Sequence, residues 1–556
     1  MSLESVADRL WAIRLKSDPM AASLMGFHDH DAELADFSEE AIEGHTSALR
    51  SVLADAEAID SATLDQKDQI TRDLAIHQAE VTSQAYEGRY LLGAVDTYTG
   101  AATGLLLGIS SLSATNAEQS QAYADRWQEV PRFLDQVLQL NRAEIARDRP
   151  PARIVTERVI NMIDGYLDTA IEDDLFVKAT LHDGASDAQR DEVTQIASEV
   201  IRPAYAAYRN ALTDEVVPIA KQNDRVGLTY NSDGDAVYEK LIHMYTSLPA
   251  EPQELHDYGL ADATEHLPDE WSEVGERALG ISDISTLFDR LRNDPELSYE
   301  SADEMVDHAR TTVERGWAAI DGWFGARPES PCDVVEVPQA IAKDLPPAYY
   351  MTPSSDGSRP GQYFLNTHDP PSRKRFNYES IHFHEAIPGH HFDRSLSMEL
   401  ENIPEFRKRF PAFAMAEGWG LYSERLADEM GLYSSDMDRL GMLSADAWRA
   451  GRLVVDTGMH YMGWSRQRAI DWFVEWTPIP LPVIEQEVDR YIGMPGQALS
   501  YKVGQREIFR LRAGAEKTLG DRFVIADFHD AVLTSGGMTL PLLGRVVEDW
   551  AQGRAT

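Results

Sequence analysis

Residues 384–391 read HEAIPGHH, and the way this octet folds decides what kind of protein carries it. His384-Glu385 opens like the HExxH metal helix, but Pro388 stands where the second histidine belongs, and two histidines follow a Pro-Gly step. On a regular helix, ligands four residues apart lie about 40° apart in azimuth and about 6 Å apart in rise, which suits one ion. His390 is six residues on, roughly 120° round the axis. His391 is seven on, on the same face but about 10.5 Å along it. The helix cannot be regular, because Pro388 has no N–H for the carbonyl of His384 and its ring crowds that carbonyl. Gly389 then opens backbone angles that other residues avoid. Two outcomes stand side by side. A bulge over Ile387–Gly389 absorbs two residues and returns His390 to the i+4 location, or Pro-Gly ends the helix and leaves the histidines in a solvated turn.

A second segment, FAMAEGWGLYSERLADEMGLY at 413–433, is helical in pattern. Glu417 and Glu424 share a face but lie about 10.5 Å apart, so only one of them can touch an ion. Glu417, beside Gly418 at the head of the segment, is the candidate ligand. Glu424 then orients a ligand or a neighbouring cation. Trp419 reads as core.

The chain has 556 residues, 43% of them hydrophobic, enough for several cores. Its 93 acidic and 51 basic residues give a formal charge of -42, which repels nucleic acid and anionic lipid, so neither is an expected partner. Cys332 is the only cysteine, so a metal site must draw on histidine and carboxylate. The opening MSLESVADRLWAIRLKSDP lacks a basic region followed by an apolar one, and the run LLLGI at 105–109 is too short to span a bilayer. The reading is a soluble, cytoplasmic protein; no oligomeric state follows from the sequence.

Helical periodicity dominates. In YADRWQEVPRFLDQVLQL (123–140), Trp127, Val130, Leu134, Val137 and Leu138 line one face. Similar stretches cover about 2–25, 38–92, 188–222, 251–280 and 299–324, and Pro150-Pro151 and Pro346-Pro347 mark turns. Near residue 328 the composition shifts to proline, β-branched and aromatic residues. VVEV and GQYFLNT read as short strands, with SSDGSRPG as a turn. Helical patterning resumes near Tyr378. The division expected is an N-terminal helical part, 1–327, and a catalytic part, 328–556, packed as one body. The fold expected is mainly α with one small sheet beside the metal-binding helix. Gly361, Tyr363 and Asn366 are read as a substrate-binding edge strand, which takes a peptide by strand addition.

HEAIPGHH followed by EGWGLYSERL resembles the bacterial family DUF885, a group related to the zincin metallopeptidases. YYMTPSSDGSRPGQYFLNT before the octet fits the same pattern, as do VVDTGMHYMGWS, PGQALSYKVGQREIFRLR and FHDAVLTSGGMTLPLLG after it. The resemblance covers about 340–545 densely and the N-terminal helices weakly. It implies a zincin-like helical architecture, two helical halves around a deep cleft, and a gluzincin-type site in which His384, His390 and Glu417 hold one zinc ion. Two imidazoles and a carboxylate also suit other first-row divalent metals. Asp393 stands where the pattern has Gln, a departure that touches the surroundings of the ligands. His382 and His391 are read as scaffold around the ligands, with His391 the fallback ligand.

Glu385 is the candidate base for a metal-polarised water. Tyr501, by analogy with tyrosines of related peptidases, is the candidate oxyanion donor, and His460 competes with it. A carboxypeptidase or dipeptidase also needs a partner for the terminal carboxylate, and Lys502, Gln505, Arg506 and Arg490 are candidates. The function implied is zinc-dependent cleavage of short peptides. A metal-dependent amidohydrolase acting on a non-peptide amide, and a non-catalytic relative that binds peptides, are the alternatives.

Overall fold

The apolar stripes of the sequence become the buried faces of a mainly α-helical protein with one three-stranded mixed sheet. The computed structural model describes residues 2–337, 339–342, 346–354 and 359–555. The chain clusters into two compact units. Unit 1 comprises 1–238, 459–467 and 487–495, and unit 2 comprises 239–458, 468–486 and 496–556. Residues 239–327, read from the sequence with the N-terminal helices, therefore group with unit 2. Among the described residues no helix is long and apolar enough to cross a membrane.

In unit 1 the stripe Trp127, Val130, Leu134, Val137 and Leu138 is buried in one large apolar cluster. Each such side chain contributes roughly 1.5–3 kcal/mol on leaving water. The segment is two helices rather than one, Ala117–Gln128 and Val130–Ala146. Pro131 falls in the first turn of the second helix, where its missing N–H has no intrahelical partner to lose. The stripe survives because the break is one residue long. The stretch 38–92 likewise divides into Glu39–Glu57 and Gln66–Gly88, the second capped by the side chain of Asp65.

Unit 2 carries the sheet, with strands β1 (Cys332–Glu336), β2 (Ala348–Met351) and β3 (Gly361–Leu365) in the order β1-β3-β2. β1 runs parallel to β3, and β2 runs antiparallel to it. This corrects the reading of β3 as an edge strand. Its backbone groups are paired on both sides, so it cannot accept a further strand, and the edges are β1 and β2. Tyr363 points its hydroxyl at Nδ1 of His382, 2.7 Å away. Asn366 donates to the carbonyls of Ala342 and Pro346. Both residues are structural here. Of the turn read at SSDGSRPG, residues 355–358 lie outside the described residues.

Six helices, five within unit 2 and one in unit 2 up to Gly458, matter for the site. They are α1 (Ala302–Ala319), α2 (Tyr378–Glu385), α3 (His390–Glu399), α4 (Phe413–Glu429), α5 (Asp436–His460) and α6 (Ser500–Leu519). α4 and α6 cross with their backbones almost touching. A Cβ on Gly504 would stand 1.7 Å from the carbonyl oxygen of Ala414, and one on Gly418 would stand 2.3 Å from the backbone of Gly504. Only glycine permits that approach. It allows Gln505 of α6 to donate to the carbonyl of Leu421 on α4.

Candidate metal centre

The octet does neither of the two things its sequence suggests. α2 ends at Glu385 and α3 begins at His390, with Ala386–Gly389 as a turn whose Ile387-Pro388 peptide is cis. The helix stops, as the proline requires, but the turn is buried rather than solvated. Trp419 of α4 donates its indole N–H to the carbonyl of Pro388 at 2.9 Å. Gly389 has room only for hydrogen, since a Cβ would lie 1.9 Å from the carbonyl oxygen of His384. The new helix thus starts with the imidazole of His390 beside that of His384, ring centroids 4.7 Å apart and planes at 83°.

Glu417 meets both rings. Its Oε2 lies 3.6 Å from Nε2 of His384 and 3.6 Å from Nε2 of His390. Among the described residues this is the one trio of such side chains whose ligand atoms all fall within 4.8 Å of one another. A tetrahedral ion bound at about 2.0–2.2 Å separates its ligand atoms by about 3.3–3.6 Å, so the trio fits zinc by donor type and by the spacing of the carboxylate oxygen from both imidazoles. Nδ1 of His384 is engaged by Oε1 of Glu424 at 2.7 Å, and Ser380 donates to the other oxygen of that carboxylate. With Nδ1 occupied, Nε2 is the atom left to face Glu417. Nδ1 of His390 has no hydrogen-bond partner among the described residues. Gly420 makes room for the first ring, because a Cβ there would stand 2.6 Å from Cε1 and 2.7 Å from Nε2 of His384.

Electrostatics follow from that packing. Burial works against a charge on His384, but Glu417 and Glu424 outweigh it and push the imidazole up to about 9. Burial also works against the Glu417 carboxylate, yet the two facing imidazoles hold it well below the usual range. Glu385 goes the other way. Burial raises it, the repulsion of Glu417 adds to that, and His390, His384 and Arg449 offset only part. A carboxyl with raised proton affinity, next in sequence to a member of a trio with the donors and spacing of a metal site, is equipped for proton transfer.

Tyr501 is drawn to the same place. Its ring lies 6.3 Å from that of His384, nearly parallel, and the guanidinium of Arg452 stands 4.2 Å from its centroid. Other candidates are occupied elsewhere. His391, the fallback ligand, contacts the Tyr350 hydroxyl through Nδ1 and the Ser330 carbonyl through Nε2, so neither nitrogen remains for a metal. Burial pushes it down to about 4. Asp393 is buried, with Arg394 as its ion-pair neighbour at 3.4 Å. His460 belongs to unit 1. It accepts from the Leu228 N–H through Nδ1 and meets the Tyr491 carbonyl through Nε2, and burial pushes it down to about 3. Those contacts make it a structural histidine.

The proposed cations also have other partners. Burial opposes the charge of Lys502, but Asp446 and Asp262 outweigh it and raise the ammonium to about 12. Arg490, in unit 1, pairs with Glu487. Arg506 is exposed over the ring of Tyr258, and Gln505 serves the helix crossing. What the sequence reading missed is the Trp448-Arg449-Ala450-Gly451-Arg452 stretch of α5, where two arginines are buried near the trio. Arginines spaced i, i+3 inside an otherwise apolar helical run were the available signal.

A profile described as "Bacterial protein of unknown function (DUF885)" matches residues 19–547. No curated protein matches. Among solved structures, a "putative lipoprotein from Colwellia psychrerythraea" is 25% identical, with a TM-score of 0.91 and 99% of each chain covered. A "putative lipoprotein of unknown function" from Shewanella oneidensis is 17% identical, with a TM-score of 0.76 over 99% of this chain and 100% of that one. The second likeness speaks for the fold alone.

Proposed function

The chain belongs to the DUF885 family, and we propose that it is a zinc-dependent hydrolase of short peptides, working as a carboxypeptidase or dipeptidase. The observation that carries this reading is the convergence of Nε2 of His384, Nε2 of His390 and Oε2 of Glu417, with Glu385 next in sequence to the first of them. These three residues would hold the ion, which when bound lowers the pKa of water toward 7 and polarises a carbonyl.

The protein's own groups supply the rest. Glu385 takes the proton of the attacking water and returns it to the leaving amine, a role for which its raised proton affinity suits it. The phenol of Tyr501 donates to the scissile carbonyl oxygen as charge develops there. Contact with His384 on one hand and Arg452 on the other fixes its ring. Glu424 keeps the proton of His384 on Nδ1 and so directs Nε2 inward.

The test is elemental mass spectrometry of protein purified without a metal-affinity column, followed by a peptide-library screen. About one equivalent of zinc, lost in Glu417→Ala, together with peptide cleavage that vanishes in Glu385→Gln while zinc stays, is the expected result. Failure to take up zinc would sink the reading. Zinc uptake with cleavage of non-peptide amides alone would replace peptidase by amidohydrolase.

A further inference from the structure

In a chain with 93 acidic and 51 basic side chains, a partly buried ammonium with no carboxylate against it calls for a reason. Lys374 is such a group. Its Nζ donates to the carbonyl of Asp294 at 2.7 Å and to the hydroxyl of Ser298 at 3.2 Å, both neutral acceptors. No carboxylate forms an ion pair with it among the described residues. An ammonium has three donors, so one is left over. Burial disfavours its charge, and Asp294 offsets only part of that effect.

Lys374 lines a half-open groove of about 490 Å³ in unit 2, within the usual range for small-molecule sites. Glu296, Ser298, Tyr299 and Glu300 form one wall, and Lys374 and Arg375 the other. The walls are fastened together. Ser298 and Lys374 pair as an antiparallel bridge, and the N–H of Tyr299 donates to the carbonyl of Arg373 at 3.1 Å. Tyr299 is fixed in turn, its hydroxyl 2.6 Å from Nδ1 of His308 and its ring edge-on to that of Tyr378 at 5.1 Å. Walls held in this way lose little freedom when a ligand enters. Two of the groove's charges are engaged. Arg375 pairs with Glu304 and donates to the carbonyl of Ser298, and Glu296 has Arg290 at 3.9 Å. Glu300 remains. Its carboxylate forms no ion pair among the described residues, not even with the Lys374 that shares its groove.

We propose that this groove is a ligand site apart from His384, His390 and Glu417, and that it takes a small zwitterion of the amino-acid or dipeptide class, with its carboxylate on Lys374 and its ammonium on Glu300. A cation and a carboxylate that share a cavity without meeting are bridged by a ligand of opposite charge at its two ends. A simple anion would instead meet Glu300 as a like charge. The groove stands at the head of α2, Arg375 lying three residues before Tyr378, and its occupancy does not depend on the hydrolase reading.

The experiment uses the full-length Glu385→Gln protein, so that a hydrolase would not consume the probe. Ligand-detected NMR titration compares alanylalanine with its N-acetyl form, which lacks the ammonium, and with its C-terminal amide, which lacks the carboxylate. Alanylalanine should bind about 10-fold tighter than the amide, through the partly buried Lys374. Over the N-acetyl form its advantage should be about 3-fold, since Glu300 is exposed. Lys374→Met should remove the first preference and Glu300→Gln the second, while Glu417→Ala should leave both. Melting temperatures confirm folding, and the exposed Glu300 variant carries the test if Lys374→Met fails to fold. Absence of binding, or equal binding of the three probes, overturns the proposal. Preferences that survive both groove variants and vanish in Glu417→Ala also overturn it, and would move the dipeptide to the candidate metal centre.

Discussion

Oε1 of Glu424 lies 2.7 Å from Nδ1 of His384, in a position 1% exposed to solvent. That contact sets the tautomer and the direction of the imidazole. Glu424→Gln should weaken zinc binding by about 10- to 100-fold, read by chelator competition, with the melting temperature of the zinc-free protein showing that the fold persists. Unchanged affinity would mean that the ring is held by packing alone.

Gly420→Ala tests the room made for that ring. The added Cβ lands within 2.7 Å of Nε2 of His384, and the imidazole is the softer party to the clash. Zinc affinity should fall by at least about tenfold, with a stability cost of about 1–3 kcal/mol from overpacking. Isothermal zinc titration and urea denaturation separate the two effects.

Lys502→Met leaves Asp262 and Asp446 facing each other's charge, with Arg425 the remaining partner of Asp446. Removing one member of a buried ionic group costs about 3–5 kcal/mol, so the urea midpoint should drop substantially. A shift near zero would mean that water replaces the ammonium.

Acid stability should depend on Glu379. Burial works to raise this carboxyl, but hydrogen bonds from His308, Ser434 and Arg315 outweigh it and hold it at about 2 rather than 4.5. Because the native value is the lower one, the stabilisation is complete above about pH 4.5 and is lost as the pH falls through about 2. The displacement corresponds to about 3 kcal/mol at neutral pH. In Glu379→Gln the loss of unfolding free energy between those pH values should be smaller by about that amount, as measured by denaturant titration at each pH. Parallel curves for the two proteins would refute the assignment.

Much of the fold was legible because periodicity is local. The stripe from Trp127 to Leu138 is buried as its spacing requires, even across the break at Glu129. The octet was legible as far as the termination imposed by Pro388, and the pairing of Glu417 and Glu424 on one face placed both near His384. What was not legible depends on partners remote in the chain. Nothing in GQYFL says that β1 and β2 take both its sides. Nothing near Lys502 announces the carboxylates of Asp262 and Asp446. The arginines of α5 carry their i, i+3 spacing as a signal, but that spacing does not say that both side chains are buried.

The indole of Trp419 bound to the carbonyl of Pro388 has a consequence for how such a centre can change over time. The two imidazoles belong to separate helices, so the number of residues between them is not tied to helical pitch. What must be preserved is the closing of the connector against the glutamate-bearing helix. Insertions or deletions within the connector are therefore tolerable wherever that clasp can re-form. A search by fixed histidine spacing would pass over every member that used this freedom, whereas a search for the clasp would find them.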